Sequence, residues 1–267
     1  MPMPYQRALS TLGCHEHSLP EAFDLAQRHG LDAIEVRALG GTLDIPDYLR
    51  QMYGTPAEFA KRASNSAVRV VSFDTSLCLA GNTGSDRTKF LEFVPWAEAL
   101  GVRWLRVFDG KSGLDAQWLD QAIATVQWWK QLREQRGWRV DCMVETHDTL
   151  LDAMSVTQFL AAAPGTAILW DTHHTWKLRG EDPLATWRAI HPHVVHLHVK
   201  DSINQPQGKL PYTCVLPGEG SFPMTQLRHA LGDEFHGPLS LEWERLWHPY
   251  LPTLDAALVA ATAKDWW

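Results

Sequence analysis

Strand-like and helix-like segments alternate eight times along the 267 residues, one pair for about every 30 residues. No other feature of the chain constrains its fold as strongly. Strands separated by helices pair in parallel, because only a long crossover returns the chain to the edge from which it started. The strand segments are Arg7–Gly13, Leu31–Arg37, Val68–Asp74, Arg103–Phe108, Val140–Glu145, Ile168–Asp171, Val194–Lys200 and Leu239–Glu242. Helices are expected over Leu19–His29, from Thr55 onward, and over Ser85–Leu100, Leu114–Arg136, Thr149–Ala163, Asp182–Ile190, Phe222–Leu231 and Thr253–Lys264. Some carry their own punctuation. Thr55-Pro56-Ala57-Glu58 joins a capping hydroxyl, a first-turn proline and a glutamate three residues on. Gly101 and Gly137 stop the helices that precede them. Asp44–Tyr53 reads as loop and short helix, and Ser202–Gly220 as one long loop.

Eight such units predict closure into a (β/α)₈, or TIM, barrel, an α/β fold whose usual length of about 250 residues suits one domain over residues 1–267. An open doubly wound sheet is the alternative, and the lack of a G-x-G-x-x-G after the first strand argues against it. No low-complexity or linker-like stretch divides the chain.

Composition narrows the function classes. Lys plus Arg is 24 and Asp plus Glu is 31, a net charge of −7, which disfavours binding to a phosphate backbone. No run of about 18 apolar residues is present and the first residues hold no apolar signal core, so neither a membrane span nor a secretory leader is expected. Cys14, Cys78, Cys142 and Cys214 show no C-x-x-C spacing and read as reduced thiols of a cytoplasmic protein.

The second half of the chain carries the chemistry. Four strands end in groups that bind metals: Glu145, Asp171, His198 and Glu242. In a barrel, the carboxyl ends of all strands converge on one mouth. Alternation separates an apolar row from a row that ends in the ligand: Met143 and Glu145 against Val144, Leu169 and Asp171 against Trp170, His196 and His198 against Leu197, Ser240 and Glu242 against Leu241. Three carboxylates and one imidazole suit Mn²⁺, Mg²⁺, Fe²⁺, Co²⁺ or Zn²⁺, with Mn²⁺ favoured, and leave coordination positions for substrate or water. His196 reads as a hydrogen-bonded core residue, His173 as facing away from the mouth, His174 as a substrate contact, and His147 as a support for a ligand carboxylate.

These residues resemble the sugar phosphate isomerase/epimerase group of the xylose isomerase-like TIM barrels. The matching pieces are Val144-Glu145-Thr146-His147, Trp170-Asp171-Thr172-His173-His174, His196-Leu197-His198-Val199-Lys200-Asp201, Pro217-Gly218-Glu219-Gly220 and Leu241-Glu242. The resemblance implies one divalent metal held by Glu145, Asp171, His198 and Glu242. It implies that Glu145 and Glu242 lie on opposite faces of a ketose and move protons through a metal-stabilised enediolate. It also makes His174, Arg106, Lys200 and Arg37 candidates for contact with substrate oxygens.

The expected activity is therefore metal-dependent isomerisation or epimerisation of a small sugar. The alternatives are a lyase that dehydrates an inosose-like polyol ketone on the same platform, with His174 or Lys200 as the acid, and a non-catalytic sugar-binding barrel. The nuclease branch of the superfamily needs extra histidines, and Ser72-Phe73-Asp74-Thr75-Ser76, Val107-Phe108-Asp109-Gly110 and Asp201-Ser202-Ile203 supply none. The thirteen tryptophans add two expectations. Trp176, Trp243 and Trp247 would line the mouth and suit an unphosphorylated sugar. Trp266 and Trp267 would be exposed, compatible with a homo-oligomer.

Overall fold

A computed structural model describes residues 4–111 and 113–267. Eight parallel strands close into a barrel. They are β1 (Gln6–Ser10), β2 (Ala33–Val36), β3 (Arg69–Cys78), β4 (Trp104–Phe108), β5 (Asp141–Glu145), β6 (Ala167–Asp171), β7 (Val194–Val199) and, after a two-stranded antiparallel sheet of β8 (Asp201–Ile203) and β9 (Thr213–Val215), β10 (Pro238–Leu241). The barrel order is β1-β10-β7-β6-β5-β4-β3-β2. Strands covered on both faces bury nearly every side chain, and Ala33, Ile34, Glu35 and Val36 of β2 are all buried.

The hydrophobic core lies between barrel and helices. Trp170 of β6 stacks on Trp187 of the helix Pro183–Ile190, with ring centroids 6.2 Å apart, and Trp118 meets Phe159 edge-on at 5.7 Å. Inside the barrel, Met143 and Leu169 share the interior row with small and polar side chains. Ala8 of β1 stands level with Ala33 of β2 and Ser240 of β10, which leaves room for His196, whose Nε2 is 2.7 Å from Ser240 Oγ.

Four local features differ from the sequence reading. The helix expected over Ser85–Leu100 is two helices, Gly84–Leu91 and Val94–Leu100. Pro95 explains the break, because its ring would clash with the carbonyl of Leu91 and it has no N–H to donate. A helix over Thr172–Arg179 follows β6 directly, capped by Asp171. The supposed long loop after β7 contains the β8–β9 hairpin. Finally, Trp266 and Trp267 are buried, with Trp266 packed against Phe222.

Asp201 ties that hairpin together. Its carboxylate accepts the backbone N–H groups of Ser202, Gly218, Gly220 and Phe222 at 2.9–3.0 Å. A Cβ at position 220 would fall 2.1 Å from Asp201 Oδ1, so only glycine lets the backbone come this close. The Pro217-Gly218-Glu219-Gly220 motif is thereby a fastening for the loop beside the mouth.

Candidate metal centre

Glu145 closes β5, Asp171 closes β6, His198 lies in β7, and Glu242 directly follows β10. Asp171 and His198 are register partners, as are His198 and Ser240. Each of the four residues offers one ligand atom, and those atoms all lie within 4.8 Å of one another. His198 Nδ1 sits between the carboxylates, 3.3 Å from Glu145 Oε1 and 3.4 Å from Glu242 Oε1. Glu145 Oε1, Asp171 Oδ2 and His198 Nδ1 are buried without a well-formed hydrogen bond. Buried polar atoms are nearly always satisfied. Several orphaned ligand atoms around one point, all oxygen or imidazole nitrogen, fit a divalent cation.

Local structure aims each ligand. Asp171 is also the N-cap of the helix that follows it. Its Oδ1 accepts the N–H groups of His173 and His174, both at 2.9 Å, which leaves Oδ2 for the centre. Glu35 of β2, fully buried, does the same for the imidazole. Its Oε2 lies 2.9 Å from His198 Nε2 and 3.0 Å from His196 Nε2, and this contact keeps a proton on Nε2 of His198, so that Nδ1 is the nitrogen left to offer an ion.

The second oxygens of Glu145 and Glu242 meet cations. Arg106 Nε is 3.2 Å from Glu145 Oε2, and Lys200 Nζ is 2.5 Å from Glu242 Oε2. Lys200 also reaches Asp171 Oδ2 and Glu244 Oε1, each at 3.0 Å. Burial disfavours the charged carboxylates, but the neighbouring cations win. Arg106 brings Glu145 down to about 2, and Lys200 brings Glu244 down to about 2. Burial likewise disfavours charge on His198, yet Glu242 and Glu35 hold its pKa well above the usual imidazole range. Asp74, buried and close to the negative Glu35, is pushed up to about 8.

A cavity of about 650 Å³ opens beside these groups, with Arg37, Arg106, Phe108, His147, Glu242 and Trp247 in its wall. A second cavity of about 500 Å³, at the opposite end of the strands near Val70, Trp104 and Pro238, has no carboxylate or histidine in its lining. Arg37 and Arg106 thus border the mouth cavity. Lys200 stands among carboxylates behind Glu242. His174 is nearly buried, with Nδ1 3.2 Å from Asp171 Oδ2 and its ring 4.9 Å from that of His147.

His173 faces away from the mouth, against Ser202, Tyr212 and Trp176. His147 does not hold Glu145. Its Nδ1 pairs with Asp148 at 3.0 Å, because backbone N–H groups of residues 147–150 bind Asp109 and turn the chain away from β5. Trp247 is half exposed on the cavity wall, whereas Trp243 is buried with its indole N–H on the Pro252 carbonyl, and Trp176 packs against Phe222.

Two contributors escaped the sequence reading. Glu35 looked like one member of an alternating strand, and Glu244 like part of a loop. A carboxylate on the interior row of a barrel strand was the available signal for Glu35. The Glu-x-Glu spacing at Glu242 and Glu244 was the signal for the other.

No curated protein matches the chain by sequence. Among solved structures, the chain is similar to the "probable 3-DHS dehydratase AsbF" of Bacillus anthracis, with 18% identity over 96% of this chain and 98% of that one and a TM-score of 0.76. It is equally similar to the IOLI protein with a bound zinc atom, at 17% identity, 97% and 96% coverage and a TM-score of 0.76. A xylose isomerase domain protein from Alicyclobacillus acidocaldarius gives 17% identity, 98% and 97% coverage and a TM-score of 0.70. At these identities the likeness is one of fold. The family described as xylose isomerase-like TIM barrel matches residues 23–266, nearly the whole described barrel, and the chain therefore belongs to that family.

Proposed function

We propose that the protein is a divalent-metal-dependent isomerase or epimerase of a small sugar or polyol ketone, with Glu145 and Glu242 moving the proton. One observation carries this reading: the two carboxylates flank His198 Nδ1, each with one oxygen toward the centre and the other held by a cation. A divalent ion on Glu145, Asp171, His198 and Glu242, Mn²⁺ by preference, would supply Lewis acidity that acidifies a C–H beside a carbonyl and stabilises the enediolate. The protein groups divide the remaining work. Arg106 does not release its proton at working pH, so it keeps Glu145 ionised as the base. Glu242 would return a proton on the other side, its second oxygen held by Lys200, which keeps its own charge among Asp171, Glu242 and Glu244.

A specific contact supports a second reading. Lys200 Nζ lies 3.5 Å from His174 Nε2, which places a proton-bearing pair beside Glu242 that could protonate a leaving hydroxyl. The chain would then be a dehydratase on the same site. DNA is not the expected substrate, because the carboxylates of Asp74 within β3 and Asp109 after β4 are committed. Asp74 accepts from Ser72 Oγ, and Asp109 binds backbone N–H groups.

The test is proton exchange. Protein loaded with Mn²⁺ and incubated in D₂O with a panel of ketoses and inososes should place deuterium on carbon, and Glu145→Gln and Glu242→Gln should each abolish it. A product lighter by one water selects the dehydratase. Exchange unaffected by both substitutions refutes the assignment.

A further inference from the structure

Arg37 follows β2 and is 6% exposed. Its backbone N–H donates to Thr11 Oγ1 at 2.9 Å, and one guanidinium nitrogen donates to the Asp74 carbonyl at 3.3 Å. Arg106 donates to the next carbonyl, that of Thr75, at 3.1 Å. Two consecutive carbonyls at β3 therefore hang two guanidiniums side by side around the Phe108 ring, 5.9 and 3.9 Å from its centroid. Arg106 is paired with Glu145 at 3.2 Å and lies 3.8 Å from Asp74. Among the described residues, Arg37 has no carboxylate within ion-pair distance, whereas the other buried cations of the mouth, Arg106 and Lys200, each have at least two.

Burial and the adjacent Arg106 push the Arg37 pKa down to about 10, so the group still carries its charge at neutral pH. A buried cation beside another cation, with Asp74, Glu145 and Glu242 acting on it only from beyond ion-pair distance, lowers stability. Packing alone does not account for it, because Phe108 is already covered by Arg106. The guanidinium lines the same cavity as Glu242. Its planar fork matches a carboxylate with two parallel hydrogen bonds. Beside this buried fork the cavity wall holds the exposed Lys111, and its one imidazole, His147, is taken by Asp148. Arg37 is thus the buried group of the wall shaped to take a planar carboxylate.

We propose that the substrate of this site carries a carboxylate group, bound by Arg37 on the cavity wall while the carbonyl end faces Glu145 and Glu242. This rests on the proton-transfer reading above and specifies its substrate class as a keto- or aldo-sugar acid.

Binding to Mn²⁺-loaded protein can be measured by calorimetry with three matched sets: glucuronate, galacturonate and fructuronate; the parent hexoses; and the hexose 6-phosphates. The uronates should bind tightest. Arg37→Gln should weaken them by about tenfold to a hundredfold, the worth of a charge-assisted hydrogen bond, and Arg37→Lys should recover part of the loss. Without ligand, Arg37→Gln should keep Mn²⁺ affinity and melt at the same temperature as the parent or higher, since it removes an uncompensated charge. A lower melting temperature makes Arg37 structural and overturns the proposal. So does equal binding of hexoses and uronates, failure of every uronate to bind, or tighter, Arg37-dependent binding of the 6-phosphates. The underlying reading fails differently: Mn²⁺ itself would not bind, or exchange in D₂O would be absent whatever the charge of the probe.

Discussion

Glu35 offers a sharp test of how the centre is held, because it touches no substrate and reaches His198 from 163 positions away in sequence. The perturbation is Glu35→Gln, which keeps the shape and removes the charge. In the parent, Glu35 Oε2 receives both His198 Nε2 at 2.9 Å and His196 Nε2 at 3.0 Å. A charge-assisted bond is worth about 1.5–3 kcal/mol and a neutral one about 0.5–1.5, so the substitution weakens the hold on His198 by roughly 1 kcal/mol or more. The Gln amide can also present N–H groups to the imidazoles and turn His198 over, which misdirects Nδ1. Partners of metal-bound histidines typically contribute about 10- to 100-fold in metal affinity, or about 1.4–2.7 kcal/mol. Calorimetric titration of chelator-stripped protein with Mn²⁺ reads this directly, and far-UV circular dichroism checks the fold. An affinity equal to the parent's would show that Glu35 does not orient His198 and would refute the reasoning.

Mn²⁺ binding should release about one proton and tighten as pH rises from 6 to 8, because His198, held well above its usual pKa by Glu242 and Glu35, must give up a proton to offer Nδ1. Calorimetry in buffers of different ionisation enthalpy counts the protons, and a pH-independent affinity would contradict the assignment. The same raised pKa makes the charged His198 stabilise the metal-free fold below about pH 6.5, a contribution lost as pH climbs through the folded-state value. Lys200→Met should destabilise the metal-free protein by about 3–5 kcal/mol, since it strands Asp171, Glu242 and Glu244. Saturating Mn²⁺ should shrink that loss in urea denaturation, and an equal loss with and without the ion would count against a shared site. Cys14 and Cys214, pushed up to about 12 by burial, should not react with a thiol reagent at pH 8, and Cys78 on the cavity wall should be the first to react. Four fast thiols in the native protein would show the barrel to be more open than described.

The barrel was legible because each of its eight strands has its own apolar signature and its own punctuation. Glu145, Asp171, His198 and Glu242 were legible because strand alternation is a local property that converts sequence position into direction. What stayed hidden depended on distance or on dual use. Glu35 meets His198 only after the barrel closes. Asp171 ends a strand and caps a helix at once, and Thr172-His173-His174-Thr175-Trp176-Lys177-Leu178-Arg179 has no clean apolar stripe to reveal that helix. Trp266 and Trp267 look like a loose aromatic end in sequence, and only the fold supplies Phe222 as a neighbour. His147 shows the converse error. Two residues beyond a ligand, it seemed placed to support it, but Asp109 had already claimed the backbone of that turn.

Lys200 bears on how such a protein comes into being. A ring of buried carboxylates would repel itself in a newly made chain that had not met its ion. Lys200, part of the same barrel, lies against Asp171, Glu242 and Glu244 and supplies positive charge there as soon as the barrel has closed. Folding and metal acquisition are then separate events, unlike the small zinc domains that stay unfolded until loaded. A chain folded without the ion should then keep a barrel that takes up Mn²⁺ later without unfolding.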